Sequence, residues 1–120
     1  MAKVYDERGE LAPAELWYRR ALDAGPHAAQ PHIYLGGFLA RRGRLEEAED
    51  VHRRGTGCSH GPVDEAWLNL GLVLRAQERF NEALKCFEAA LRLDPDYGKA
   101  ATAAEDVRRV LELMAERKAR

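Results

Sequence analysis

The sequence predicts an all-α protein built as a stack of antiparallel helix pairs. Three observations carry that expectation. Alanine, leucine, arginine and glutamate dominate the chain and are good helix formers, whereas β-branched residues are scarce and no segment reads as a strand. One segment recurs: Gly9–Leu22, Gly43–Gly55 and Glu78–Leu91 align so that Ala14, Ala48 and Ala83 fall 34 and then 35 positions apart. Within the units the apolar residues keep helical spacing. Trp67, Leu70, Gly71 and Leu74 stand at i, i+3, i+4 and i+7, and Ala83, Phe87, Ala90 and Leu91 form a matching face on the next helix.

In chain order, the first unit (4–28) is cut. Tyr5, Ala14, Tyr18, Ala21 and Pro26 remain, with at most two turns of the leading helix. The second unit (29–63) has a leading helix in which Tyr34-Leu35-Gly36-Gly37-Phe38-Leu39 matches Asn69-Leu70-Gly71-Leu72-Val73-Leu74. It carries His32 where the third unit has Trp67, His52 where it has Phe87, and Gly55 where it has Ala90. The segment Gly55-Thr56-Gly57-Cys58-Ser59-His60-Gly61-Pro62 is a loop by composition. In the third unit (64–97), the short link Gln77-Glu78-Arg79-Phe80 forces its two helices antiparallel. Gly71 and Ala83 are small where those helices approach, and Trp67 and Phe87 fill the space beside them. Pro95 stops the second helix, and Asp96 is placed to cap the next one. That last helix, about 96–116, carries Ala100, Ala104, Val107, Leu111 and Met114 on one stripe and charges elsewhere, as a terminal cap does; Arg117 to Arg120 are expected to fray.

The third unit reads Trp67-x-x-Leu70-Gly71-x-x-Leu74, then Ala83-x-x-x-Phe87-x-x-Ala90, then Pro95. This resembles the tetratricopeptide repeat (TPR) family, with Leu74 where tyrosine is usual. The resemblance is strong over 64–97 and weaker in the middle unit. It implies a right-handed superhelical solenoid of about two and a half repeats plus a capping helix over 98–120, all in one domain (1–120). It also implies a protein-binding module in which ligands lie in the groove lined by the first helix of each hairpin.

Composition bounds the alternatives. A net charge of −1 gives no prior for a nucleic-acid or membrane partner, and neither is expected. No run of 18 apolar residues exists to span a membrane, and the first eight residues lack the apolar stretch of a secretory signal. Cys58 and Cys86 do not make a disulfide framework, so a reducing, cytoplasmic setting is expected. Cys58 and His60 share a loop, but two ligands fall short of the four of a structural zinc site, and His52 stands where an aromatic is usual. No metal or other cofactor is expected. No nucleophile, base and orienter form a recognisable set, so an enzyme is not expected either.

Helical periodicity places the groove opposite Trp67, Leu70 and Leu74. The middle unit offers Ile33, Gly37 and Arg41; the third offers Glu65, Leu68, Asn69, Leu72 and Arg75; the last helix adds Lys99 and Arg109. Leu68 and Leu72 weigh most, because they are large, apolar and turned away from the hairpin's own packing. The expected occupant is a protein or peptide segment, with Leu68, Leu72 and Ile33 in apolar contact and Arg41, Arg75 and Lys99 steering acidic groups. Some cochaperone members of the family clamp a peptide's terminal carboxylate with lysine, arginine and two asparagines. Asn69 and Lys99 match two of those places, while Ile33, Gly37 and Ala103 stand where the others belong. The cut first unit leaves Leu16, Trp17, Tyr18 and Leu22 with little to pack against. Either the chain is a fragment of a longer array, which is the expectation preferred here, or a second copy covers the end; a homodimer through that N-terminal edge, or self-assembly, is therefore the alternative reading.

Overall fold

A computed structural model describes the backbone of residues 1–120 and every side chain except that of Asp6. The described residues form seven helices: α1 (Ala2–Glu7), α2 (Leu11–Ala24), α3 (Ala29–Arg41), α4 (Leu45–Thr56), α5 (Val63–Ala76), α6 (Phe80–Leu93) and α7 (Gly98–Ala119). Consecutive pairs make three hairpins, successive hairpins stack through α2–α3 and α4–α5, and α7 lies on α6 and α5.

Each hairpin turns in the same way. Glu10, Arg44 and Arg79 donate their backbone N–H to the carbonyls of Tyr5, Leu39 and Leu74, five residues back, at 2.8, 3.0 and 2.9 Å. The residue before each donor is left-handed: Gly9 and Gly43 at φ 76° and Glu78 at φ 61°. This is the Schellman closure, in which the left-handed position normally requires glycine because a Cβ there is strained. Glu78 meets that requirement with a side chain.

Inside the hairpins, contact depends on a missing side chain. A Cβ on Gly36 would run into the His52 ring, and one on Gly71 would run into Phe87. In the first hairpin, Ala2 is partly buried against the cluster that holds Tyr18. Between hairpins, Arg44 spans from Glu47 (2.8 Å) back to Glu15 (2.6 Å), and Arg79 spans from Glu82 (2.6 Å) back to Glu49 (2.6 Å). The Arg44 hydrogen bond leads in holding the Glu15 carboxyl below its ordinary range. Burial pushes Glu49 the other way, and its bonds from Arg53, Gln77 and Arg79 outweigh that, leaving it lowered as well. Such exposed pairs add little stability singly. Repeated at one register, they tie each hairpin to the one before it. Leu84 occupies the equivalent position in the third hairpin, and the ladder stops there.

Three expectations about α7 are corrected. The helix starts at Gly98, with Tyr97 rather than Asp96 in the capping position and no side-chain cap bond. The Asp94 carboxylate accepts the Asp96 N–H at 3.1 Å, so this aspartate shapes the turn instead. The apolar stripe packs only in its first part: Ala100, Ala103, Ala104 and Val107 are buried, whereas Met114 is 47% exposed. The helix also continues through Lys118 to Ala119, past the expected fraying point.

His52 is 1% exposed and its Nδ1 has no hydrogen-bond partner. Burial first, and His32 second, push it down to about 4. The unfolded chain therefore takes up this proton at about 6.5 and the folded protein only near 4, so stability is full above pH 6.5 and falls as the pH drops toward 4. The loss over that window is on the order of 3 kcal/mol. His52→Phe should flatten this dependence, as followed by urea denaturation at pH 7 and 4.5; an unchanged pH slope would exclude His52 as the source. Separately, Glu78→Gly relieves the left-handed strain and should stabilise the fold by roughly 0.5–1 kcal/mol, seen as a higher melting temperature, while Gly43→Ala should lower it.

Candidate functional site

The leading helices of the hairpins line one side of the stack, and a groove of about 910 Å³ opens along them. Its floor is α3 and α5: Ile33, Gly37 and Ala40 from the first, Leu72 and Val73 from the second. Met1, Ala2, Lys3 and Glu7 of the short α1 wall one end, with Tyr18 and Ala21 of α2 behind them. Tyr34 stands 54% exposed at the rim, and Asn69 and Arg41 supply polar groups. The floor dips at Gly37, where an added Cβ would meet only the end of the Arg41 side chain, at 3.4 Å. A mostly apolar cleft with a few polar groups at its edges suits a ligand held by side-chain burial and oriented by a small number of hydrogen bonds.

The groove gathers Ile33, Gly37, Arg41, Asn69 and Leu72 of the residues expected from periodicity. Ile33 contributes only an edge, since it is 7% exposed and packs with Ala29 and Ala66. Leu68 is a correction. It is 5% exposed and belongs to the core cluster that holds Ala100, Ala103 and Ala104 of α7. The face of α5 turned away from its hairpin mate is covered by the next helix of the stack, so Leu68 is structural. Glu65, Arg75, Lys99 and Arg109 lie outside the groove. Glu65 sits near Tyr97, whose hydroxyl is pushed up first by burial and then by the Glu65 charge. Arg75 is exposed in the last turn of α5, and Lys99 and Arg109 are exposed on α7. Tyr34 went unnoticed in the sequence although Tyr34, Gly37 and Arg41 keep i, i+3, i+7 spacing. The contribution of α1 has no such signal, because six residues are too few to show a helical period.

Cys58 Sγ lies 3.6 Å from His32 Nδ1, but His32 also bonds the Ala28 carbonyl at 2.8 Å, and burial raises the thiol pKa. Among the described residues, no three histidine, cysteine or acidic side chains converge as a metal site. No described helix is long and apolar enough to cross a membrane.

Two models described as "Tetratricopeptide repeat" match the chain, over residues 1–59 and 64–97. The chain belongs to the tetratricopeptide repeat family. Human tetratricopeptide repeat protein 7A is 33% identical over 92 residues, which is 77% of this chain and 11% of that protein. The chain thus spans about a tenth of the length of the curated relatives it matches. The TPR domain of Sgt2 from Aspergillus fumigatus superposes with a TM-score of 0.84 at 20% identity, covering 99% of this chain and 79% of that one. The first TPR of Spaghetti (RPAP3), bound to the HSP90 peptide SRMEEVD, superposes at 0.80 with 20% identity, covering 92% and 87%. These likenesses establish the fold as an all-α TPR solenoid, and TPR domains are protein-interaction modules.

The burial difference between the two leucines is testable. Leu68→Glu places a carboxylate in the α5–α7 core and should cost about 3 kcal/mol or more, whereas Leu72→Glu, at the groove surface, should cost about 1 kcal/mol or less. Chemical denaturation of both variants checks this; equal losses would mean that the two positions share one environment.

Proposed function

We propose that this chain is an adaptor or scaffold unit that binds a peptide segment of another protein in the groove between α1, α3 and α5. One observation carries the reading: the apolar cleft of about 910 Å³ whose floor falls away at Gly37, between Tyr34, Arg41 and Leu72. The RPAP3 domain of the same fold holds an HSP90 peptide, which supports a peptide as occupant. A clamp for a terminal carboxylate fits poorly. Gly37 and Ile33 bring no donor to the groove, Ala103 is buried, and Lys99 lies outside the lining. The ligand is instead a segment with one or more large apolar side chains seated over Gly37 and Leu72, with Asn69 bonding its backbone and Arg41 favouring an acidic neighbour.

A second reading, self-association through the N-terminal edge, has its own support. Met1, Val4, Leu11, Leu16 and Trp17 of the first hairpin are 37–67% exposed.

A peptide array probed with the whole chain tests the groove. Gly37→Leu fills the dip while improving helix propensity, and Leu72→Glu charges the floor. Each should weaken the selected apolar peptides by about tenfold or more, a loss of about 1.4 kcal/mol, with the helical circular dichroism unchanged. Full affinity in both variants would rule this groove out.

A further inference from the structure

One polar group lies at the bottom of the groove, beneath its apolar floor. His52 of α4 lines the groove although it is only 1% exposed, whereas Phe87, in the same place of the third hairpin, does not reach it. The ring edge that carries Nδ1, Cε1 and Nε2 rests on Gly36, where a side chain would otherwise stand. Gly37, the next residue of α3, is the dip in the floor. Among the described residues neither ring nitrogen has a hydrogen-bond partner, and Nδ1 is sealed off. The narrow opening of the ring to the groove therefore falls at Nε2. Burial first, and the His32 ring second, hold His52 uncharged at neutral pH. A neutral imidazole carries a single N–H. A sealed N–H without an acceptor is costlier than a sealed lone pair, so the proton belongs on Nε2, as a donor at the bottom of the groove.

We propose that His52 sets the sequence of the ligand: its Nε2–H donates to the side-chain carbonyl of an asparagine or glutamine that the peptide carries beside its large apolar residue. The inference rests on the groove reading above and adds the polar half of the recognition. The opening admits the tip of a side chain, whereas a backbone carbonyl is held back by its own chain. A hydroxyl stands too close to its backbone to reach a recessed ring. A carboxylate taken down to an apolar floor needs a positive partner, and the ring there has no charge to offer. An apolar side chain in that place leaves the N–H unpaired. One position of the ligand is thereby selected for an amide over residues of the same shape.

Peptides selected by the whole chain, remade with asparagine, leucine or aspartate at each position flanking the large apolar residue, test this by fluorescence anisotropy. At one position asparagine should bind about tenfold tighter than leucine or aspartate, the worth of one paired hydrogen bond. His52→Phe, which installs the ring of the third hairpin, should abolish that preference and leave the affinity for the leucine peptide unchanged. The Nε2 resonance of His52 in the native chain should shift with the asparagine peptide and stay in place with the leucine peptide, which a role in packing alone would not produce. No amide preference at any position, a preference that persists in His52→Phe, or an Nε2 resonance indifferent to the asparagine peptide overturns this inference and leaves the groove standing. Peptides whose binding survives both Gly37→Leu and Leu72→Glu overturn the groove, and this inference with it.

Discussion

The stack depends on pairs of helices approaching so closely that one must give up its side chain at the point of contact. Gly36 makes room for His52 and Gly71 for Phe87, and the rings fill the space that the glycines leave. Close-packed interiors tolerate neither a void nor an added atom at such a point, so ring and glycine fix the spacing within each hairpin together. The three left-handed turns then set where each second helix begins, and the Arg44 and Arg79 bridges set how one hairpin sits on the last. The groove follows from these constraints. It is the side of the stack where the leading helices meet one another rather than their mates, and its dip lies at Gly37, beside the glycine that the hairpin requires.

The middle hairpin satisfies the constraint less well. A phenylalanine ring has no polar atoms to lose, whereas His52 brings a nitrogen that finds no partner and a proton that burial drives off. His32, where Trp67 stands in the third hairpin, is better provided for because it bonds the Ala28 carbonyl. Its Cβ would lie 3.0 Å from a Cβ on Gly55, which accounts for glycine at that position instead of the alanine of Ala90. The same hairpin forms most of the groove floor, so the buried, unpartnered His52 nitrogen lies directly beneath the candidate site.

Much of the fold was legible because repetition makes a sequence its own comparison. Gly9, Gly43 and Glu78 head the three aligned segments, and each proves to be the left-handed residue of its turn. The site was less legible, for a physical reason visible at Leu68. Periodicity identified the face of α5 that its hairpin mate does not cover, and Leu68 lies on that face. In a solenoid, however, each leading helix also packs on helices of the neighbouring units, as α5 does on α3, α4 and α7, and a pattern read within one hairpin cannot separate those neighbours from water. Leu72 and Asn69, one turn or less away, fall toward the opening, and Leu68 falls under α7. Lys99 and Arg109 were misplaced for the same reason, because their position depends on how α7 rotates against α5.

α7 itself shows how a stack can be closed by chemistry. Continuing the spacing of the earlier units, Ala101, Ala104, Glu105 and Arg108 stand where Trp67, Leu70, Gly71 and Leu74 stand in α5. A following helix packed as α6 is on α5 would need a small residue at the place of Glu105 and a leucine at that of Arg108. Instead Glu105 is exposed, and Arg108 turns toward Glu88 of α6 at 3.7 Å. Burying either charge without a partner would cost several kcal/mol, far more than one more helix contact returns. The first half of α7 is thus apolar toward the stack and charged outward, which ends the ring-and-glycine pattern. In its second half Leu111 still packs on the core, and beyond it Leu113 and Met114 stay 57% and 47% exposed. The repeat pattern ends on the charges of Glu105 and Arg108, and Leu113 and Met114 stay exposed because they lie past Leu111, the last residue of α7 that packs on the core.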